Sequence, residues 1–251
     1  MKTKVWAHRG ASAYAPENTL EAFELAVSQG ADGVELDIQM TKDGSLAVIH
    51  DETIDRVCDG SGCVADFTMK ELKKFRCSRL YPEFADARIP ELGEVLSLIK
   101  PSKLTVNIEL KTGIVRYKGI EEAAVKLVKE MGMEDRVIYS SFHHPSLLKV
   151  KRLDPDAKTG LLYSDGWIHV ASYGKKLGVD ALHPALYHLR SGKLLKEAKE
   201  KKLPLHVWTV NEEGAMRILA EQKIAALITN YPDVALRVVR EMSRYLSLIH
   251  I

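Results

Sequence analysis

Short apolar runs alternate with longer segments of helical periodicity along most of the chain. The first run begins at Val5, and the segment after it carries apolar residues at helical spacing, namely Leu20, Phe23, Ala26 and Val27. Asn18 and Glu21 stand where an N-cap and the acid of a capping box are expected, and Gly30 is a natural C-terminal stop. A second apolar run follows directly. The pattern therefore predicts a β-α-β unit with parallel strands and a right-handed crossover.

The same alternation continues to the end of the chain and predicts eight strands. The strands are Val5–Gly10, Gly33–Ile38, Thr105–Lys111, Val137–Ser141, Thr159–Tyr163, Ala181–His183, Leu205–Val210 and Ala226–Thr229. The helices are 18–30, Glu91–Ile99, Ile120–Met131, Pro145–Leu153, Ile168–Leu177, Ser191–Lys201, Glu213–Glu221 and Pro232–Arg244. Eight β-α repeats favour an α/β fold with a closed (β/α)8 barrel over an open doubly wound sheet. No Gly-x-Gly-x-x-Gly motif follows the first strand, which argues against a dinucleotide site.

Residues 51–101 interrupt this rhythm, because they are richer in Gly, Cys, Asp and Arg and contain only short helical pieces such as Thr68–Phe75. We interpret them as a small insertion after the second strand, within a single domain that spans residues 1–251. Loops that follow the C-terminal ends of barrel strands lie over the active-site face. The insertion is therefore expected to shape the substrate pocket and to influence substrate preference.

Composition is that of an ordinary globular protein, with 46% hydrophobic and 28% charged residues, which allows a sizeable core. A formal net charge of +2, without a dense basic stripe, gives no indication of a nucleic-acid partner. No segment approaches the roughly 20 apolar residues of a membrane span, and no apolar signal segment follows Met1. We therefore expect a cytoplasmic protein without a transmembrane segment. The sequence does not indicate its oligomeric state.

Three cysteines, Cys58, Cys63 and Cys77, lie close together in the insertion. Three thiols cannot all pair within one chain, and their spacing matches no zinc motif. One disulfide or metal ligation is possible in principle. Because the cytoplasm is reducing, we expect three free thiols.

Carboxylates occupy alternate positions of the second predicted strand. Within Gly33–Ile38 the aliphatic residues share one face, whereas Glu35 and Asp37 share the other. A buried carboxylate is costly unless a cation neutralises it, so positive charge is expected beside this face. The third predicted strand repeats the pattern, with three polar residues on one face, Asn107, Glu109 and Lys111.

Glu35, Asp37 and Glu109 fall near the C-terminal ends of their strands, where barrel enzymes place catalytic groups. Three carboxylates without a cysteine ligand make a hard oxygen site. We therefore expect a divalent cation, Mg²⁺ or Ca²⁺, rather than zinc as the cofactor. Salt bridges between these acids and nearby basic residues are the structural alternative.

Two histidines and two cations accompany the acids at the same strand ends. His8 and His50 suit paired proton transfer, in which one removes a proton from the nucleophile and the other gives one to the leaving oxygen. Arg9 and Lys111 suit an anionic substrate, since arginine grips phosphate with two hydrogen bonds. The combined pattern indicates metal-assisted transfer at a phosphate ester.

Short motifs follow one another over nearly the whole chain. They are His8-Arg9-Gly10, Pro16-Glu17-Asn18-Thr19, Glu35-Leu36-Asp37, Thr41-Lys42-Asp43-Gly44, His50-Asp51, Asn107-Ile108-Glu109-Leu110-Lys111, Ser140-Ser141-Phe142, Trp208-Thr209-Val210-Asn211 and Thr229-Asn230-Tyr231-Pro232. Each motif is weak alone, but in this joint order they resemble the glycerophosphodiester phosphodiesterase family. The resemblance implies a TIM barrel with a small insertion after the second strand. It also implies hydrolysis of glycerophosphodiesters (deacylated phospholipids) to sn-glycerol 3-phosphate and an alcohol.

The resemblance also implies a role for each matching residue. His8 and His50 correspond to the acid-base pair. Three acids correspond to the metal ligands, namely Glu35, Asp37 and Glu109. Four residues correspond to the substrate-binding set, with the two basic ones on phosphate and the two aromatic ones at the mouth, namely Arg9, Lys111, Phe142 and Trp208. Asn230 departs from the family pattern, because many members look to have Asp at this position.

Several alternatives stay open. Phe142 and Trp208 are equally plausible as core aromatics, and Asn18 as a helix cap with no substrate contact. A barrel hydrolase for another phosphodiester, such as a lysophospholipid, is the runner-up, and a barrel that binds without turnover is a third reading. The attacking group is either water or the substrate's own hydroxyl. Histidines without a matching motif are expected to be structural, and none has an assigned role: His143, His144, His169, His183, His188, His206 and His250.

Overall fold

The computed structural model describes residues 2–249, so that His250 lies outside the described part. Nine strands form one sheet within it. They are β1 (Lys4–His8), β2 (Gly33–Met40), β3 (Leu46–Val48), β4 (Thr105–Leu110), β5 (Val137–Ser141), β6 (Lys158–Tyr163), β7 (Ala181–Pro184), β8 (His206–Val207) and β9 (Ala226–Thr229). All adjacent pairs are parallel except β2 with β3, which folds back as a short antiparallel hairpin.

The eight parallel strands close into a barrel. Their order is β7-β6-β5-β4-β2-β1-β9-β8, and parallel bridges join β7 to the neighbourhood of β8 at Leu182–Leu205 and Ala185–Trp208. The predicted (β/α)8 barrel is thereby confirmed. β3 was not among the predicted strands, because three residues are too few for a period-2 pattern to stand out.

Helices alternate with the strands along most of the chain. They are α1 (Leu20–Gln29), α2 (Met69–Leu72), α3 (Leu92–Ile99), α4 (Ile120–Glu130), α5 (His144–Leu153), α6 (Val170–Leu177), α7 (Lys193–Glu200), α8 (Glu213–Glu221) and α9 (Pro232–Ile249). Short 3-10 helices occupy Val64–Asp66, Glu134–Arg136 and Leu186–Ser191. Among residues 2–249, none of the helices is both long enough and apolar enough to cross a membrane.

The aliphatic face of β2 packs against the helices that surround the barrel. Val34, Leu36 and Ile38 are fully buried in the layer between the strands and the helices, beside residues of α1 and α3. Burying such side chains contributes about 1.5–3 kcal/mol each. The same alternation turns the acids of β2 toward the barrel interior.

The start of α1 differs from the prediction. Thr19, not Asn18, is the N-cap, and its hydroxyl accepts a hydrogen bond from the backbone N–H of Ala22. Asn18 instead has a left-handed backbone, with φ of 59°, and turns its side chain into the barrel. Gly30 ends the helix as predicted, with φ of 78°.

The segment between β3 and α3 has a small hydrophobic cluster of its own, which includes Ile54, Val64 and Leu72. A disulfide joins Cys58 to Cys77 in this cluster, and Cys63 is free and exposed. The expectation of three free thiols is therefore wrong, because the fold of the insertion brings two of the thiols together. Disulfides are typical of oxidising compartments, so the cytoplasmic location stays a prediction.

Candidate active site

Three acids meet inside the C-terminal end of the barrel. Glu35 and Asp37 alternate along β2, and parallel pairing sets Asp37 directly beside Glu109 on β4. One carboxylate oxygen from each lies within 4.8 Å of the others, and all three residues are buried. Parallel strands end on the same side of the barrel, so the register alone accounts for this convergence.

The protonation of the three acids reflects their crowding. Burial, and then the neighbouring carboxylates, raise the pKa of Glu35 well above its usual range. Burial and Asp37 raise the pKa of Glu109 to about 7. Burial also opposes ionisation of Asp37, but Arg9 and Lys111 outweigh it and lower the pKa of Asp37. The acids therefore lack enough positive charge from side chains to be fully ionised together.

The free oxygen of Asp37 is the observation that tests a metal site. Its Oδ1 atom is buried and has no hydrogen-bond partner among the described residues, and Lys111 Nζ lies 3.9 Å from it. A buried, unbonded carboxylate oxygen needs a partner. Three carboxylates without sulfur or histidine ligands are the donor set of a hard divalent cation, so these residues fit one.

Neighbouring groups hold the acids in place. Asn18 Nδ2 donates to Asp37 Oδ2 at 2.9 Å, and Arg9 Nε lies 3.3 Å from the same oxygen. The backbone N–H of Arg9 donates to Glu35 Oε2 at 3.0 Å. Asn18 thus positions an acid of the site, a role that the sequence did not separate from helix capping.

His8 ends β1 and faces the acids. Asn230 Oδ1 lies 2.7 Å from His8 Nδ1 and can only accept, so the proton of the neutral ring sits on Nδ1. Nε2 is then unprotonated and lies 3.9 Å from Glu35 Oε2. Burial, and then Arg9, lower the pKa of His8 to about 4, so the ring is neutral at pH 7.

His50 follows β3 and reaches the acids from the other side. Its Nδ1–H donates to Asp51 Oδ1 at 2.6 Å. Lys111 Nζ donates to His50 Nε2 at 3.1 Å and to Glu109 Oε1 at 3.0 Å. Both histidines therefore have Nδ1 engaged and present Nε2 to the same centre.

A cavity of about 280 Å³ connects these groups. Its walls are His8, Arg9, Glu35, His50, Asn107, Glu109, Phe142, Leu162, Trp208, Thr209 and Ile228. Phe142 and Trp208 meet edge to face, with ring centroids 5.6 Å apart, and Phe142 is 40% exposed at the mouth. Seven of the nine predicted site residues line the cavity, and the other two, Asp37 and Lys111, contact its acids.

The insertion does not line the cavity. Within the described chain, no residue from 51–101 is among the cavity walls. The expectation that the insertion influences substrate preference stays a prediction. The link of the insertion to the site runs through Asp51 and Arg56 instead.

Two asparagines of the site were missed by the sequence reasoning. Asn107 precedes Glu109 on the inner face of β4, lines the cavity, and has a buried Oδ1 with no hydrogen-bond partner in the described structure. Its position on the polar face of the strand was the available signal. Asn230 was noted only as a departure at a position without a proposed ligand, and no sequence signal linked it to His8, which is 222 residues away.

The arrangement combines three chemical capacities. It offers a buried acidic site for a divalent cation, two imidazoles that direct Nε2 toward the acids, and cationic groups on Arg9 and Lys111 beside them. Such a set suits proton transfer at a polarised ester of an anion.

The chain is similar to known proteins over nearly its full length. The sequence profile of the Glycerophosphoryl diester phosphodiesterase family matches residues 8–234. A glycerophosphodiester phosphodiesterase of Caldanaerobacter subterraneus subsp. tengcongensis is 44% identical over 242 residues, which cover 96% of this chain and 99% of the relative. A protein of the same name from Bacillus altitudinis is 39% identical over 246 residues, with coverage of 96% and 99%.

Solved structures have the same barrel. An Oleispira antarctica phosphodiesterase, in complex with the product sn-glycerol-3-phosphate, superposes with a TM-score of 0.87 at 28% identity and covers 95% of this chain and 97% of that one. The glycerophosphodiester phosphodiesterase of Agrobacterium tumefaciens superposes with a TM-score of 0.81 at 27% identity, with coverage of 94% and 99%.

Proposed function

The chain belongs to the glycerophosphoryl diester phosphodiesterase family, and on that premise we propose that it is a metal-dependent enzyme that uses His8 and His50 as its acid-base pair. Its reaction is hydrolysis of a glycerophosphodiester to sn-glycerol 3-phosphate and an alcohol. The observation that carries the proposal is the buried acidic triad with two histidines facing it across one cavity.

Glu35, Asp37 and Glu109 are the proposed ligands of a divalent cation, Mg²⁺ or Ca²⁺. When bound, the cation would neutralise the triad and polarise the phosphate ester as a Lewis acid. The unbonded Oδ1 of Asp37 and the raised pKa values of Glu35 and Glu109 support this assignment, since each reports uncompensated negative charge or polarity.

His8 is the proposed proton acceptor. With a pKa of about 4 it is neutral at pH 7, and Asn230 keeps its proton on Nδ1, so Nε2 is free to take the proton of the attacking group. His50 is the proposed donor to the leaving oxygen. For this role His50 Nε2 must take up a proton from solvent before the step, and Lys111 Nζ must turn away from it. The Asp51 carboxylate on Nδ1 stabilises the resulting imidazolium.

Arg9 and Lys111 are the proposed phosphate-binding residues. Both lie at the acidic centre, and each carries N–H groups that can turn to a phosphate oxygen. Phe142 and Trp208 are the proposed contacts of the departing alcohol, because they form the apolar rim of the cavity. The cavity volume of about 280 Å³ suits a small deacylated substrate.

The test is release of sn-glycerol 3-phosphate from glycerophosphocholine by the purified protein, with Mg²⁺, with Ca²⁺ and with EDTA. We expect release with one or both cations and none with EDTA. Lysophosphatidylcholine is assayed in parallel, so that turnover of this substrate alone would replace the proposal with the lysophospholipid alternative. Absence of turnover on both substrates by folded, metal-loaded protein would instead favour a binding protein.

A further inference from the structure

A continuous chain of hydrogen bonds links the two sides of the active site. Arg9 Nη1 donates to Glu17 Oε1 at 2.8 Å, and His50 donates to Asp51. Arg56 lies between the two acids and binds both of them. We call the three connecting residues, Glu17, Arg56 and Asp51, the arginine bridge.

All three guanidinium nitrogens of Arg56 donate hydrogen bonds in this bridge. Nη1 and Nη2 donate to the two oxygens of Glu17 at 2.9 and 2.7 Å. Nε and Nη2 donate to the two oxygens of Asp51 at 2.7 and 3.2 Å. Paired charge-assisted hydrogen bonds of this kind restrict both partners more than a single contact does. Arg56 therefore holds two carboxylates in one fixed relation.

The bridge is the route by which the insertion reaches the site. Glu17 precedes α1, whereas Arg56 belongs to the insertion, whose residues are not among the cavity walls in the described chain. Arg56 lies two residues before Cys58, which forms a disulfide with Cys77 inside the insertion. The position of the guanidinium is thus set by the insertion and transmitted to residues of the barrel.

We propose that Glu17, Arg56 and Asp51 are positioning residues for the reaction, acting on His50 at one end and on Arg9 at the other. The proposal rests on the function proposed above. Asp51 holds the His50 ring with Nε2 toward the acids, and Arg56 keeps Asp51 from rotating away. Glu17 holds the Arg9 guanidinium over the cavity, where phosphate is expected to bind.

The two ends of the bridge have different kinetic consequences. Loss of Asp51 frees the ring of His50, which slows proton transfer and lowers kcat. Loss of Glu17 frees Arg9, which weakens substrate binding and raises KM. Loss of Arg56 releases both acids, so that kcat falls and KM rises together. A merely structural role would not divide the effects in this way.

The experiment compares Asp51→Asn, Glu17→Gln and Arg56→Ala with the wild type in steady-state release of sn-glycerol 3-phosphate. Each change is expected to lower kcat/KM by about 10- to 100-fold, as for other residues that orient active-site groups. Arg76→Ala is the matched control, because Arg76 also lies in the insertion, pairs with exposed Asp59 at 3.5 Å and has no ion pair with another acid among residues 2–249. Circular dichroism and Tm show whether each variant is folded.

Chemical rescue sharpens the test. The Arg56 side chain is 41% exposed, so free guanidinium has access to the space left in Arg56→Ala. Guanidinium is expected to restore part of kcat, whereas urea, which has a similar shape but no charge, is not. Arg56→Lys is expected to be intermediate, since one ammonium cannot pair with both acids.

The controls separate the two proposals. Activity of Arg56→Ala equal to that of Arg76→Ala, in an active wild type, would overturn the positioning role alone. Equal rescue by urea and guanidinium would also overturn it. A wild type that releases no product under any metal condition would overturn the proposed function, and the bridge with it.

Discussion

Two pairs of histidines lie inside the same barrel, and their surroundings differ. His8 and His50 lie at the C-terminal mouth, where each has an oxygen acceptor on Nδ1 and faces the acids. His183 and His206 lie side by side on neighbouring strands and bond to each other, His206 Nδ1 to His183 Nε2 at 2.8 Å. No carboxylate forms a hydrogen bond or ion pair with either of them in the described structure.

The inner pair is enclosed by apolar and aromatic groups. Trp6 lies against the His206 ring, with centroids 4.4 Å apart, and Gly160 leaves the space that the His183 ring fills. Burial lowers the pKa of His206 to about 3, and burial with His206 lowers the pKa of His183 well below its usual range. Both rings are neutral and packed, which is a structural arrangement.

The comparison teaches that hydrogen-bond partners and access to the cavity, not residue type, distinguish the two pairs. All four rings are mostly enclosed, but only His8 and His50 border the cavity and the acids. An imidazole that has no route to the substrate cannot exchange a proton with it. Histidine therefore has a structural role inside the barrel, at His183 and His206, and a proposed catalytic role at the cavity, at His8 and His50.

The largest effect is expected from His8→Ala and His50→Ala. Each should lower kcat by about 10²- to 10⁴-fold, because general acid-base catalysis contributes that much. Metal affinity should be retained, since neither residue belongs to the acidic triad. Calorimetric titration with Mg²⁺ or Ca²⁺ and steady-state kinetics measure the two quantities, and an unchanged kcat in either variant removes that residue from the mechanism.

Glu35→Gln is expected to weaken metal binding and activity together. It removes one charge of the triad but keeps its size, and a Lewis acid is worth several kcal/mol at a phosphate ester, or about 100-fold in rate or more. The metal concentration needed for half-maximal activity should rise. Full activity of this variant without added metal would refute the ligand assignment.

His206→Ala should lower stability rather than activity. It leaves a small cavity and deprives the His183 ring of its partner, so the free energy of unfolding should fall by about 1–3 kcal/mol. The value of kcat should stay near that of the wild type. Urea unfolding and kinetics check the two statements, and a large loss of kcat in a folded variant would erase the proposed distinction between the two pairs.

The smallest effect concerns pH. Glu109 without metal has a pKa of about 7, raised by burial and by Asp37, so it holds a proton below that pH. A cation must displace this proton, and metal affinity should therefore rise as pH increases toward about 7, by up to about tenfold per pH unit. Titrations in buffers of different ionisation enthalpy count the protons released. An affinity independent of pH would show that metal binding displaces no proton from the triad, which would contradict this prediction.

The periodicity of apolar residues and the order of the motifs were sufficient to predict the barrel and the grouping of most candidate site residues around one cavity. The alternation in Gly33–Ile38 placed the aliphatic residues outward and Glu35 and Asp37 inward, because side chains of a strand face opposite ways. Parallel strands share one end, so His8 and Glu109 were expected at the same place. These inferences use only local periodicity and one topological rule.

Only the tertiary structure decided which groups are partners across long sequence distances. Asn18 serves Asp37 instead of a helix end, Asn230 meets His8 from the last β-α turn, and Arg56 reaches Glu17 from the insertion. The pairing of Cys58 with Cys77 belongs to the same class. The pattern of a strand or helix repeats, so it can be recognised from the sequence. A single long-range contact has no period, and it depends on the packing of all the elements between its two ends.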